Sequence, residues 1–273
     1  MSANSYLERL ATEGVIRELE KVNITRSLSL LKERLNSHFN DAESNNVKVE
    51  KHFAFGSYTR GTILPRSMDP LSDVDYMIVF ADSEARPQTC LDRLRRFVEK
   101  YYEKAEVAQS HPTIVLSLNH IRFELVPAID AFWSGIQIPG KRSAYSEWMS
   151  TTPNQFNERL SEKNKYNDNL IKPLIRLLKY WNASNDYPFE SFELEKTVVG
   201  HRPFWIILFG GNLWKRFSVF VENVFDVDWA DTEHQKNAVR RAQGIVSEVK
   251  RLDSDERHDE AEQKLRRLLP VIG

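Results

Sequence analysis

The sequence predicts an α+β fold, a short mixed sheet with accompanying helices followed by a helical lobe. Three observations predict it. Strand-like segments, Val47–Phe55, Asp73–Phe80, Thr113–Leu118 and Ile121–Val126, all precede residue 155. Two stretches with helical spacing, 5–40 and 81–106, alternate with them. After residue 156 only helical spacing recurs. Two domains are therefore expected, 1–155 with the sheet and 156–273 built of helices.

Residues 5–40 read as helix in two pieces, with Leu28, Leu31, Leu35 and Phe39 forming one apolar stripe. The polar run 41–46 is a loop. From Val47 to Phe55 alternate residues Val47, Val49, Phe53 and Phe55 share a face, with Lys51 the exception. A loop spans Tyr58–Ser72, and a short helix is expected over Thr59–Ile63. In 81–106, Leu91, Leu94, Phe97, Val98 and Tyr101 keep helical spacing, and Arg93, Arg95, Arg96, Lys100 and Lys104 form a solvated face. Thr113–Leu118 and Ile121–Val126 flank Asn119-His120 as a hairpin, and Asp130 is expected beyond the strand because Pro127 should end it. Ala131–Asn157 shows little periodicity and reads as irregular. Leu170–Asn182 reads as an amphipathic surface helix, with Lys172, Arg176 and Lys179 opposite its leucines. The apolar run 203–225 is buried helix interrupted near Gly210-Gly211, and 229–269 combines charge with helical spacing, leaving faces for a regulatory protein partner.

Composition narrows the classes. The chain has 273 residues, 41% hydrophobic and 28% charged, enough for a core without staples. Its single cysteine, Cys90, excludes an intramolecular disulfide and fits a reducing, cytoplasmic setting. The first twenty residues do not resemble a signal peptide, and the most apolar window, Pro203–Trp214, is too short to span a bilayer, so no membrane association is expected. A net charge of −1 argues against general nucleic-acid binding. None of the seven histidines has zinc-site spacing with another His or with Cys90. Nucleophile-elbow, phosphate-loop and dinucleotide fingerprints are absent.

The chemistry gathers in residues 55–80, FGSYTRGTILPRSMDPLSDVDYMIVF. Asp73 and Asp75, two apart on a strand, project to one face at its start. Adjacent carboxylates repel unless a cation lies between them, and Mg²⁺ prefers carboxylates together with phosphate oxygens. Gly56 permits close backbone approach, and Ser57 offers a hydroxyl and an N–H to a phosphate. Glu124, set between Phe123 and Leu125, is costly to bury unless it is paired or bound to metal.

Gly56-Ser57 followed by Asp73-Val74-Asp75 resembles the nucleotidyltransferases of the DNA polymerase β type. It is most similar to the bacterial branch related to cyclic GMP–AMP synthase and oligoadenylate synthase. The resemblance extends to about residue 200. It implies a polymerase-β-type catalytic domain and helical lobe with the active site in the cleft. The implied activity is synthesis of a cyclic di- or oligonucleotide signal from nucleoside triphosphates, used in anti-phage defence. It also implies two Mg²⁺ ions, with Mn²⁺ an alternative, held by Asp73, Asp75 and Glu124 as the catalytic carboxylates. Glu124 matches a position where relatives usually carry Asp; the plain alternative pairs it with Arg122 on the same face. Lys179 and Ser191, the latter opening Ser191-Phe192-Glu193-Leu194-Glu195, match the family's triphosphate contacts in order, beside Gly56 and Ser57. Two other readings stay open. One is transfer to an RNA 3′ end or a protein side chain, which salt-dependent RNA affinity would favour. The other is a non-catalytic module that binds ATP without releasing pyrophosphate.

Overall fold

The computed structural model describes residues 2–41, 47–103, 105–110, 112–131, 133, 135–140, 147–153, 155–200, 211–225 and 232–272. In chain order the elements are α1 (Ala3–Glu13), α2 (Glu18–Asn40), β1 (Val49–Ala54), α3 (Gly56–Arg60), β2 (Asp73–Phe80), α4 (Pro87–Tyr101), β3 (Glu106–Ser110), β4 (Thr113–Ser117), β5 (Arg122–Ala131), β6 (Gly135–Pro139) and β7 (Trp148–Ser150). Then follow α5 (Gln155–Lys165), α6 (Ile171–Ala183), α7 (Ser191–Gly200), α8 (Leu213–Asn223), α9 (Glu233–Ser254) and α10 (His258–Leu265). They form two compact units that interleave along the chain. A sheet unit holds Arg17–Gly61 and Leu71–Asn157, and a helical unit holds Met1–Ile16, Thr62–Pro70 and Glu158–Gly273. The sequence expects one boundary near 155; the chain passes between the units at 16/17, 61/62, 70/71 and 157/158.

In the sheet unit the strand order is β1-β2-β5-β4-β3, with β6 paired to β5 and β7 to β6. β2 and β5 run parallel while the other pairings are antiparallel, so the sheet is mixed. The parallel pair requires a long crossover, which carries α4 and the β3–β4 arm. On one face Phe39 of α2 meets Phe80 edge-on at 5.4 Å and Phe97 of α4 at 5.8 Å. On the other, Met77, Val79 and Ala128 are covered by Phe53, Phe55, Ile136 and Ile138. Cover on both faces explains the unbroken apolar run Met77–Phe80.

Several details differ from the sequence expectation. A bulge sets Val49 opposite Phe80 and Lys51 opposite Val79, so Val49 turns to the other face while Lys51 stays on the face of Phe53, which meets Met77. The Lys51 ammonium meets Asp130 there at 2.5 Å. Pro127 does not end β5, and Asp130 lies within the strand. β4 pairs β5 over residues 122–125 and β6 pairs it from Ile129, so Pro127 falls in the gap, where its missing N–H costs no ladder bond on that edge. The stretch 131–157 holds β6 and β7, strands too short to show a period. The helix expected over 81–106 begins at Pro87, fitted to the first turn, and Glu106 opens a strand instead.

In the helical unit, α1 buries Tyr6, Leu7 and Leu10. Trp181 of α6 packs against Phe225 with ring centroids 4.8 Å apart and planes tilted by 39°. A capping box of Thr232 and Gln235 starts α9. The expected surface helix, α6, is instead buried over most of its circumference, Lys179 included. Residues 203–210 of the apolar run lie outside the described residues, and 213–223 are helical.

Candidate active site

Asp73 and Asp75 open β2 on one face. Parallel pairing sets Asp73 beside Arg122 and Asp75 beside Glu124. In register, neighbours on adjacent strands point the same way, so these four side chains share the face. Further along, the same face turns apolar with Met77 beside Val126 and Val79 beside Ala128. Asp73, Asp75, Arg122 and Glu124 are thus gathered at the strand starts, with Asp130 and Lys51 at the far end of the face.

β1 delivers the chain directly to this place. The Phe55 N–H donates to the Asp75 carbonyl at 3.0 Å, and Gly56 follows at φ +70° as the first residue of α3. A Cβ on Gly56 would stand 1.8 Å from Asp75 Oδ2. Glycine is required here twice, by the positive φ and by the neighbouring carboxylate. The short helix runs over Gly56–Arg60 rather than Thr59–Ile63, so Ser57 lies in its first turn. Gly61, at φ +70°, ends it, with its N–H bonded to the Tyr58 carbonyl at 3.2 Å.

Glu124 is turned along its own strand. Arg122 Nη2 donates to Glu124 Oε1 at 2.8 Å, with the two side chains 24% and 22% exposed. Arg122 Nε is buried without an acceptor. Among the described residues no three His, Cys, Asp or Glu side chains converge as a metal-binding group. The donor chemistry still fits a hard divalent cation, since Asp73, Asp75 and Glu124 put carboxylate oxygens on one face and Gly56 leaves the Asp75 carboxylate its space. Glu124 gives one of its two carboxylate oxygens to Arg122. Asp130 shares the face but lies six residues along β5 and is paired with Lys51.

In the helical unit, Lys179 is 6% exposed, with Nζ 3.2 Å from the Thr62 carbonyl and 3.5 Å from Glu195 Oε1. The same Glu195 oxygen accepts from Thr62 Oγ1 at 2.8 Å, and Glu195 is 1% exposed. Ser191 is half-buried at the first position of α7, one turn ahead of Glu195. Arg176, expected on a solvated face, donates from Nε to the Ala11 carbonyl at 3.2 Å, and burial pulls its guanidinium below its usual range. Tyr180 spends its hydroxyl on the Pro270 carbonyl at 3.0 Å. Sequence reasoning assigned no role to Glu195 or Thr62, and it weighed Arg122 only as a competing partner. The spacing Ser191-x-x-x-Glu195, one helical turn, was the available signal for Glu195.

The chain is 29% identical over 185 residues to a probable cyclic nucleotide synthase of Bacillus cereus strain VD146, covering 54% of this chain and 54% of that protein. It spans about half the length of the curated relatives it matches. Among solved structures, the DncV cyclic AMP-GMP synthase of Vibrio cholerae, in complex with a linear intermediate, aligns with a TM-score of 0.72 at 11% identity, over 99% of this chain and 97% of that one. The complex of CdnC with HORMA-deltaN from Escherichia coli MS115-1 aligns with a TM-score of 0.66 at 13% identity, over 97% of this chain and 95% of that one. These likenesses establish a polymerase-β-type α+β nucleotidyltransferase fold. A family model for the Second Messenger Oligonucleotide or Dinucleotide Synthetase domain matches residues 1–164, and the chain belongs to that family, SMODS.

Proposed function

We propose that this chain is a nucleotidyltransferase that joins nucleoside triphosphates into a cyclic di- or oligonucleotide signal serving anti-phage defence. The observation that carries the reading is the face shared by Asp73, Asp75 and Glu124, with Gly56 fitted against Asp75, in a chain of the SMODS family. Asp73, Asp75 and Glu124 are the residues that would hold divalent cations, Mg²⁺ by their oxygen chemistry. Bound there, such cations neutralise phosphate charge and acidify an acceptor ribose hydroxyl.

The chain's own groups have separate tasks in this proposal. Gly56 keeps the Asp75 carboxylate clear of any side chain, and Ser57, in the first turn of α3, is assigned to triphosphate oxygens. Lys179 and Ser191 of the helical unit are assigned to the triphosphate as well. An ammonium has three donors, and Lys179 spends two on Thr62 and Glu195. A regulatory protein partner belongs to the same proposal, supported by the HORMA-bound structure of CdnC.

The test is incubation of the purified protein with all four ribonucleoside triphosphates and Mg²⁺ or Mn²⁺, then phosphatase treatment and mass spectrometry. Phosphatase-resistant cyclic nucleotides, absent from an Asp73→Asn/Asp75→Asn variant, are expected. Labelled nucleotide on added RNA or protein instead would move the acceptor there. ATP bound with no pyrophosphate released, with or without RNA, protein or partner, would overturn the catalytic reading.

A further inference from the structure

Glu124 has two claims on it. Parallel register places it beside Asp75, on the carboxylate face proposed to hold the cation. Its side chain nevertheless points along β5 to Arg122, two residues back and on the same face, at 2.8 Å. Arg122 is itself poorly satisfied. Of its five N–H donors, one reaches Glu124, while Nε is buried with no acceptor. A buried donor left unmatched raises the free energy of the arrangement that leaves it so. Glu124 is thus engaged by a guanidinium, and among the described residues no three metal-binding side chains converge.

We infer that Arg122 is a positioning residue that competes with the divalent cation for Glu124. With Arg122 paired, Glu124 is held off the Asp73–Asp75 pair; a cation that draws Glu124 in must first break the ion pair. The methylene by which Glu exceeds Asp supplies the reach to both partners. Site closure is thereby graded, with the third carboxylate released from Arg122 when the cation binds. The inference rests on the reading of Asp73, Asp75 and Glu124 as the cation ligands, and its test separates the two.

The experiment is a Mn²⁺ titration of the full chain without nucleotide, followed by the electron paramagnetic resonance signal of the free ion. Wild type is compared with Arg122→Gln, Glu124→Gln, the double variant and Asp73→Asn/Asp75→Asn. Arg122→Gln is expected to tighten Mn²⁺ binding by about two- to fivefold, the range of a part-exposed ion pair. That gain should fall by more than half when Glu124 is already Gln. Damage to the fold weakens binding, so a gain is a readout that a merely structural role does not produce. Arg122→Met, which keeps the packing of the stem, repeats the measurement if the Gln variant melts early. Unchanged or weaker binding in Arg122→Gln overturns the inference, as does an equal gain in the Glu124→Gln background, which would mark a field effect alone. If Asp73→Asn/Asp75→Asn binds Mn²⁺ like wild type, the cation reading itself fails.

Discussion

At Gly56 and Lys179, single side chains carry constraints that can be measured. The place where a Gly56 Cβ would stand lies 1.8 Å from an Asp75 oxygen, and the residue's φ is +70°. Gly56→Ala must therefore both strain the backbone and displace the carboxylate, and should cost about 1–3 kcal/mol in a melting experiment. Nucleotide product should fall along with it, because the displaced group is a proposed ligand. Lys179 presents the opposite problem, a buried charge with one countercharge. Lys179→Met takes the lysine from the buried Glu195 carboxylate and should cost about 3–5 kcal/mol. Adding Glu195→Gln should return part of that loss, since the carboxylate charge that the lysine faced is then gone. A Lys179→Met chain as stable as wild type would show that the pair is not the tie described.

At the scale of elements, α4 and β5 offer two further tests. Cys90 lies on the buried side of α4, and burial pushes its thiol up to about 11. The folded chain then keeps a proton that the unfolded chain loses at an ordinary thiol value. The stability this contributes is complete below the ordinary value and is lost as the pH rises toward 11. Tyr6 and Tyr76, pushed up to about 12 by burial, act in the same direction. Iodoacetamide should leave Cys90 unlabelled at pH about 8 in the folded chain and label it on addition of urea; prompt labelling of the folded chain would contradict the burial. On β5, Asp130 and Lys51 form an exposed pair at the apolar end of the face. Asp130→Asn should change stability by less than about 1 kcal/mol and leave Mn²⁺ affinity unaltered. A clear loss of metal would move the third ligand from Glu124 to Asp130.

Across the whole molecule, the interleaving of the two units gives short segments large consequences. Thr62–Pro70 is held in the helical unit through Thr62 to Glu195, the buried side chains of Ile63, Leu64 and Met68, and Asp69, which accepts from the Tyr187 hydroxyl at 2.7 Å. Both ends of that segment continue into the sheet unit, one at Gly61 and the other three residues before Asp73. The helical unit is also closed by its ends. The Tyr6 hydroxyl donates to the Leu269 carbonyl at 2.6 Å, and the Tyr180 hydroxyl to that of Pro270 at 3.0 Å. Replacing both tyrosines by Phe should cost about 1 kcal/mol for each bond, read by melting. Faster amide exchange over 266–272 should accompany it; unchanged exchange there would show that the last turn is held by other contacts.

Much of this architecture was legible in the residues. A strand repeats every two residues, so Asp73 and Asp75 had to share a face wherever the strand lay. The 3.6-residue period marked the second part of the chain as helical for the same local reason. A glycine before Ser57 signalled close approach, though not that a carboxylate made it necessary. Beyond this, periodicity is silent, because it orders residues along one element and says nothing about which neighbour each will face. The sequence by itself determined the mixed α+β class and the aspartate pair and drew notice to Glu124, while the family resemblance nominated Lys179 and Ser191. Only the tertiary structure decided that β5 runs parallel to β2 and sets Glu124 beside Asp75, that Glu124 pairs with Arg122, and that Lys179 is buried against Glu195. The parallel pairing and the burial of Lys179 depend on segments far apart in the chain, and the choice of Arg122 for Glu124, one of two partners the sequence left open, is likewise set by the partner available rather than by the local pattern.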